Sequence, residues 1–201
     1  MNVIRRFALA TLIAVPLFAQ APPAAPAREV WTADTPHSSV AFKIRHLMSN
    51  VTGNFRDFDA VVQIDRAQPA RSSVEFNIKA ASIDTRDADR DEHLRSPDFF
   101  EATKYPSITF KSTSVTPKSK DSFDVTGDLT MHGVTKRITF PVTYLGQTSD
   151  PRGIQTAGFE METTLDRKEY NVSWNRVLDE GGVLLGDDVK VTIELEMKRK
   201  P

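Results

Sequence analysis

Apolar and polar residues alternate with a period of two through most of this chain. The clearest case runs from Phe123 to Thr143. There Phe123, Val125, Leu129 and Met131 take turns with Asp124, Thr126, Asp128 and Thr130, and Ile138, Phe140 and Val142 take turns with Arg137 and Thr139. Successive side chains of a strand point to opposite faces, so this pattern predicts two strands with one greasy face each. His132-Gly133 between them reads as a tight turn, which makes the stretch a β-hairpin.

The same alternation recurs over Ser72–Lys79, where Val74, Phe76 and Ile78 share a face, and over Ser107–Val115, Thr156–Asp166 and Val189–Met197. Gly53–Ile64 reads as one more strand. Trp31–Thr35 and Ser38–Arg45 read as a strand pair or as one strand bent around Pro36, with Val40, Phe42 and Ile44 on one side. About eight strands result. The period is lost between Ile83 and Tyr105. The charged run Arg86–Glu92, followed by Leu94, Pro97, Phe99 and Phe100, predicts one or two short helices, the second starting at Pro97 with Ser96 as its cap. Arg167–Gly186 is a second irregular stretch, with Gly181, Gly182 and Gly186 marking turns.

The fold class is therefore all-β and antiparallel. One-sided strands hide their apolar faces by stacking two sheets or by closing into an up-and-down barrel, and periodicity alone does not separate the two. At about eight strands a closed barrel is either filled by its own side chains or wide enough for one ligand.

The beginning of the chain has a different character. Arg5 and Arg6 precede an apolar run from Phe7 to Phe18, and Ala19-Gln20-Ala21 follows as a small-x-small cleavage pattern. Residues 1–21 are expected to be a secretory signal peptide, since the run is too short for the roughly 20 residues that span a bilayer. Residues 22–28 are rich in Ala and Pro, a composition for a flexible segment, and residues 29–201 are expected to form one domain. Without Arg5 and Arg6 the chain keeps 24 basic residues against 27 acidic ones, which argues against nucleic acid as a partner. Cysteine is absent, so the exported domain rests on packing alone, and thiol chemistry and cysteine-ligated metals are excluded.

Several short segments then come in a meaningful order. They are Pro36-His37-Ser38-Ser39-Val40-Ala41-Phe42, His46, Gly53-Asn54-Phe55 with Phe58, and Arg90-Asp91-Glu92-His93-Leu94 leading to Pro97-Asp98-Phe99-Phe100. Tyr105-Pro106-Ser107-Ile108-Thr109-Phe110, Gly127-Asp128-Leu129-Thr130 and Gly133-Val134-Thr135 follow, and Arg167, Tyr170, Val172, Trp174 and Gly181-Gly182 precede the last strand. In these segments, from Thr35 to Glu196, the chain resembles the YceI-like family of exported bacterial proteins. Asn171 stands where that family more often has glycine, and asparagine tolerates the left-handed backbone such a turn needs.

The resemblance implies a lipocalin-like barrel with the helical insert, around residues 86–103, near one end. It implies a periplasmic carrier or store for a polyisoprenoid or other long-chain amphiphilic lipid, with no cofactor and no catalytic residue. Transient membrane contact and a homodimer are compatible with it. The ligand contacts it implies are Phe42, His46, Phe76, Phe99, Phe110, Phe123, Leu129, Phe140, Arg167 and Trp174. Two other readings stay open, an enzyme or accessory factor acting on isoprenoid or quinone intermediates and a structural stress-response barrel with a filled core.

His37, His46, His93 and His132 show no ligand spacing such as i, i+4 on a helix, and HExxH is absent, so no metal is expected; His37 and His46 are the pair with least against them. His132 in its turn and His93 beside Asp91 and Glu92 are expected to face solvent. No GxSxG is present. Arg90 and Asp91 read as an ion pair that ties down the insert, while the alternative has Arg90 or Arg167 meeting a lipid head group.

Overall fold

In the folded chain the alternating stretches become eleven strands and one α-helix, seen in a computed structural model that describes residues 28–179 and 181–201. The expected signal peptide and the Ala/Pro-rich segment up to residue 27 lie outside the described residues. The strands are β1 (Glu29–Ala33), β2 (Ser39–His46), β3 (Ser49–Phe55), β4 (Phe58–Ile64), β5 (Ser73–Lys79) and β6 (Ile83–Asp84). After helix α1 (Ala88–Arg95) come β7 (Ser107–Pro117), β8 (Ser122–Met131), β9 (Val134–Ser149), β10 (Gln155–Asp166) and β11 (Leu185–Arg199).

Neighbouring strands run antiparallel in the order β1-β4-β5-β7-β8-β9-β10-β11, and β11 returns to pair with β1. The ring of eight closes, so the architecture is the barrel and not the two-sheet sandwich. The bend at Pro36 makes the closure work. Ala33 pairs with Met197 and Ser39 with Glu194, so β1 and β2 are two halves of one bent strand lying along β11. The Ser38 hydroxyl fixes the bend by donating to the Asp34 carbonyl at 2.9 Å and accepting from the Glu196 N–H at 3.0 Å.

The single strand expected over Gly53–Ile64 is interrupted at Arg56-Asp57. The Arg56 N–H donates to the Ser82 carbonyl and the Asp57 carbonyl accepts from the Lys79 N–H, so both leave the ladder. The break lets β3 pair with β2 and β6 while β4 pairs with β1 and β5. The hairpin of β8 and β9 is as expected. His132 and Gly133 both have positive φ, 49° and 76°, the combination of a type I′ turn, whose twist suits adjoining strands. Further along β9, pairing with β10 ends at Val142 opposite Met161, next to Pro141, which has no N–H to give. Below that point β9 is bonded only to β8, and β10 only to β11.

The insert contains one helix. Asp87 caps α1 by accepting from the Arg90 N–H, which is why the charged run is helical. The second helix expected at Pro97 is absent. The Ser96 carbonyl accepts from the N–H groups of Phe99 and Glu101, and the Leu94 carbonyl from that of Phe100, so residues 96–104 fold as successive turns. Nor do Arg90 and Asp91 pair with each other. Both hold Thr85: the buried Asp91 carboxylate accepts from its N–H at 2.8 Å and its hydroxyl at 2.6 Å, and Arg90 Nε donates to that hydroxyl at 2.7 Å.

Inside the ring the apolar faces meet in one main cluster that includes Val40, Phe55, Ile78, Phe110, Val125 and Phe140. Gly127 is part of its design, because a side chain there would strike the Phe110 ring and the Lys111 carbonyl. Gly127→Val should therefore lower unfolding stability by about 3 kcal/mol in urea titration, a cost of overpacking rather than of lost contact.

Candidate functional site

The strands converge on a cavity of about 430 Å³ at the barrel axis, within the usual range for small-molecule sites. Its wall is supplied by inward residues of every ring strand, among them Trp31, Phe76, Val125, Met161 and Ile193. The alternation of the sequence is the direct cause: each strand turns its apolar set inward, and the ring leaves a gap that those side chains do not fill.

One end of the cavity is sealed. The Leu47-Met48 turn, the insert of residues 80–106, the His132-Gly133 turn and the loop of residues 167–184 all lie there. Phe100 meets Phe55 edge-on at 5.8 Å, and Tyr170, 1 % exposed, completes the floor of the core. Arg167 holds this end together. It is 4 % exposed, and its guanidinium donates to the carbonyls of Gly186 (2.9 Å), Val172 (2.7 Å) and Trp174 (2.8 Å), with Asp187 at 3.4 Å. Burial pushes its pKa down and Asp187 opposes that. Four acceptors make the charge tolerable in so dry a place.

The other end is the mouth. Here lie the loops of residues 65–72, 118–121 and 150–154 and both ends of the described chain, and here the lining turns polar, with Asp65, Arg66, Ser72, Lys120 and Gln147. Arg66 follows β4, and Gln147 sits on β9, diametrically opposite in the ring. The Arg66 guanidinium donates to Gln147 Oε1 at 2.8 Å and to Glu29 Oε1 at 2.8 Å, so one side chain ties the two rims together. Trp31 Nε1 also donates to Glu29, at 3.2 Å. The hydrogen bond from Arg66 holds the Glu29 carboxyl below its usual range, with Trp31 and Arg199 adding to the effect.

The histidines do not gather. None of the four lines the cavity. His37 lies outside the barrel near Asp34 and Glu196, and the length of β2 separates it from His46, which ends that strand. The Asp34 carboxylate already receives Lys198 Nζ at 2.7 Å and His37 Nδ1 at 2.8 Å, and these bonds hold its pKa down. Of the two histidines expected to face solvent, His93 does so in part: its side chain stays 41 % exposed and keeps Asp98 at 2.8 Å, while its ring packs edge-on against Phe99 and Trp174, each at 5.0 Å. His132 differs from expectation. The His132 side chain is only 12 % exposed, because it stands against the Tyr105 ring and its Nδ1 lies 3.2 Å from the Tyr170 carbonyl.

A model of the YceI-like domain matches residues 31–197. The chain belongs to the YceI-like family. Protein YceI of Shigella flexneri is 47 % identical over 137 residues, covering 68 % of this chain and 71 % of that protein, and a UPF0312 protein of Azotobacter vinelandii is 44 % identical over the same coverage. Among crystal structures, BcnA of Burkholderia cenocepacia superposes with a TM-score of 0.72 at 27 % identity, covering 82 % of this chain and 98 % of BcnA. The YCEI protein of Campylobacter jejuni gives 0.67 at 32 % identity, with 84 % and 96 % covered. A polyisoprenoid binding domain from Saccharophagus degradans shares the fold, with a TM-score of 0.60 at 16 % identity over 85 % of this chain and 98 % of its own.

In this YceI-like barrel, six of the ten residues expected to meet ligand line the cavity: Phe42, Phe76, Phe110, Phe123, Leu129 and Phe140. The other four are at the sealed end, outside the lining. His46 closes β2 against Leu185, Phe99 and Trp174 form a separate apolar group with Val172 and Leu185, and Arg167 spends its donors on backbone carbonyls. Arg90, bound to Thr85, is likewise not at the mouth. The basic groups that do line the cavity, Arg66 and Lys120, had no signal of their own, being single charges in loops. Counting strands up and down would have placed both loops at one end.

The Glu29–Arg66 bond makes the mouth sensitive to acid. A carboxylate with a depressed pKa in the folded state stabilises it above the unfolded pKa, and that contribution is lost as the pH falls through the folded value. Between about pH 5 and pH 3, the difference in melting temperature between the wild type and Glu29→Gln should shrink toward zero, the wild type being the more stable at pH 7.

Proposed function

We propose that the protein carries or stores a long-chain amphiphilic lipid, isoprenoid or fatty-acyl, with its tail in the barrel and its head group at the mouth. The observation that carries this reading is the apolar, one-ended cavity with Arg66 and Lys120 at its polar rim. A blind apolar bore selects a chain end, and Lys120 at the opening, next to an Arg66 already paired with Glu29, favours an anionic head such as phosphate or carboxylate. The fold shared with the polyisoprenoid binding domain of Saccharophagus degradans supports a ligand of this kind. Binding, and not bond chemistry, is the role assigned here. Export to the periplasm, read from residues 1–21, is part of the same proposal, since a shielded tail is what an insoluble lipid needs to cross an aqueous compartment.

The volume limits how much tail is covered. At roughly 30 Å³ for a water-sized group, 430 Å³ holds a chain of about fifteen carbons, so a longer isoprenoid would project through the mouth. In titrations with fatty acids of increasing length, affinity should rise and then level off near that length. Filling the bore from two walls, with Val142→Trp and Val191→Phe, should reduce uptake at least tenfold while circular dichroism stays that of the wild type. Unchanged uptake by a folded variant would place the lipid elsewhere. For localisation, the protein recovered from a periplasmic extract should lack residues 1–21, and a chain that retains them would contradict the export reading.

A further inference from the structure

The charge of this protein is unevenly placed along the barrel axis. At the mouth, Arg66 and Arg71 stand against Asp65 in one loop, Lys118 and Lys120 against Asp121 in the next, and Arg152 against Asp150 in the third. The chain ends add Arg28, Lys198, Arg199 and Lys200 against Glu29. Nine basic residues thus face four acidic ones, and all nine are exposed. Asp124 and Asp34, just below the rim, take Lys118 and Lys198 as ion-pair partners, which still leaves the basic groups three ahead. The segments at the sealed end, residues 47–48, 80–106, 132–133 and 167–184, hold seven basic residues and nine acidic ones among the described residues. A chain that is acidic as a whole therefore presents a positive face around its one opening.

We propose that this face docks the mouth on an anionic lipid bilayer. The inference rests on the lipid-carrier reading, because a mouth pressed to a membrane is how an insoluble tail could pass in or out without crossing water. The bilayer is favoured over a protein partner by the form of the charge. It is spread over three loops and two chain ends around a ring, so it complements a flat charged plane, and each basic side chain within a Debye length of such a surface strengthens binding by about fivefold. Ile154, in one of these loops, is 37 % exposed and adds an apolar contact. The sealed end carries more exposed apolar surface at Leu47, Met48, Val177 and Val183, but it lies among excess acid that an anionic surface repels, and it gives no access to the cavity.

The test is co-sedimentation of the full exported protein with vesicles of phosphatidylcholine alone or with equal parts phosphatidylglycerol. The wild type should bind only the second kind, and progressively less as salt is added. The triple variant Arg28→Glu, Arg152→Glu, Lys200→Glu should lose at least tenfold in binding. The same change of charge at the sealed end, Arg86→Glu, Lys104→Glu, Arg176→Glu, and the single change Met48→Asp should leave binding unaltered. Indifference of the wild type to phosphatidylglycerol, or loss in the sealed-end variants equal to that at the mouth, would overturn the proposal. Uptake of a fluorescent fatty acid from solution is measured alongside. A wild type that docks but takes up no lipid brings down the carrier reading and leaves the docking face standing, whereas one that takes up lipid but ignores the vesicles brings down docking alone.

Discussion

The return of β11 to β1 is the constraint on which the rest of this molecule depends. A strand left at an edge exposes unpaired backbone groups, and a ring has no edge. Closing eight strands with one of them a single residue out of register would turn its apolar face outward, since side chains alternate and a slip of one residue reverses the whole set. Here the bend at Pro36 and the Ser38 hydroxyl fix the register of the closing strand, so every strand presents its greasy side to the axis. The cavity follows from that geometry, because eight inward faces of mixed Val, Ile, Leu, Met and Phe surround more space than they occupy.

The irregular end depends on buried polar groups in place of strand pairing. Arg167 collects two carbonyls, Val172 and Trp174, from the loop and a third, Gly186, from the start of β11, and Asp91 and Arg90 share Thr85 where the insert leaves the barrel. Asn171, at φ 61°, ends the short 3₁₀ turn after Arg167 in the left-handed conformation that its side chain tolerates. With one end stapled in this way, exchange with the surroundings is confined to the other, where a single guanidinium bridges the rim. For the lipid proposed above, selectivity would not come from hydrophobic burial, because a tail resting in a bilayer is already dry; bore length and the charge at the opening would supply it.

Much of this was legible in the chain. The alternation in β5, β7, β8, β9 and β11 names both the strands and one apolar face of each, and that face carries Phe76, Phe110, Leu129 and Phe140. The first half of β3, Ser49–Thr52, and the two-residue β6 carry no such pattern, being polar or too short, and were invisible. Arg167 was noticed, but its partners are main-chain carbonyls, which no side-chain pattern encodes. His132 misled for the same reason, since a turn residue looks exposed until Tyr105 and Tyr170, remote in sequence, are brought against it.

The missing N–H of Pro141 has a mechanical meaning. A barrel laced by hydrogen bonds all the way round can change its girth only by breaking them. In the lower part of this one, beyond Val142 and Met161, no ladder hydrogen bond joins β9 to β10. At that seam, beside the floor, no backbone bond has to break for the girth to change.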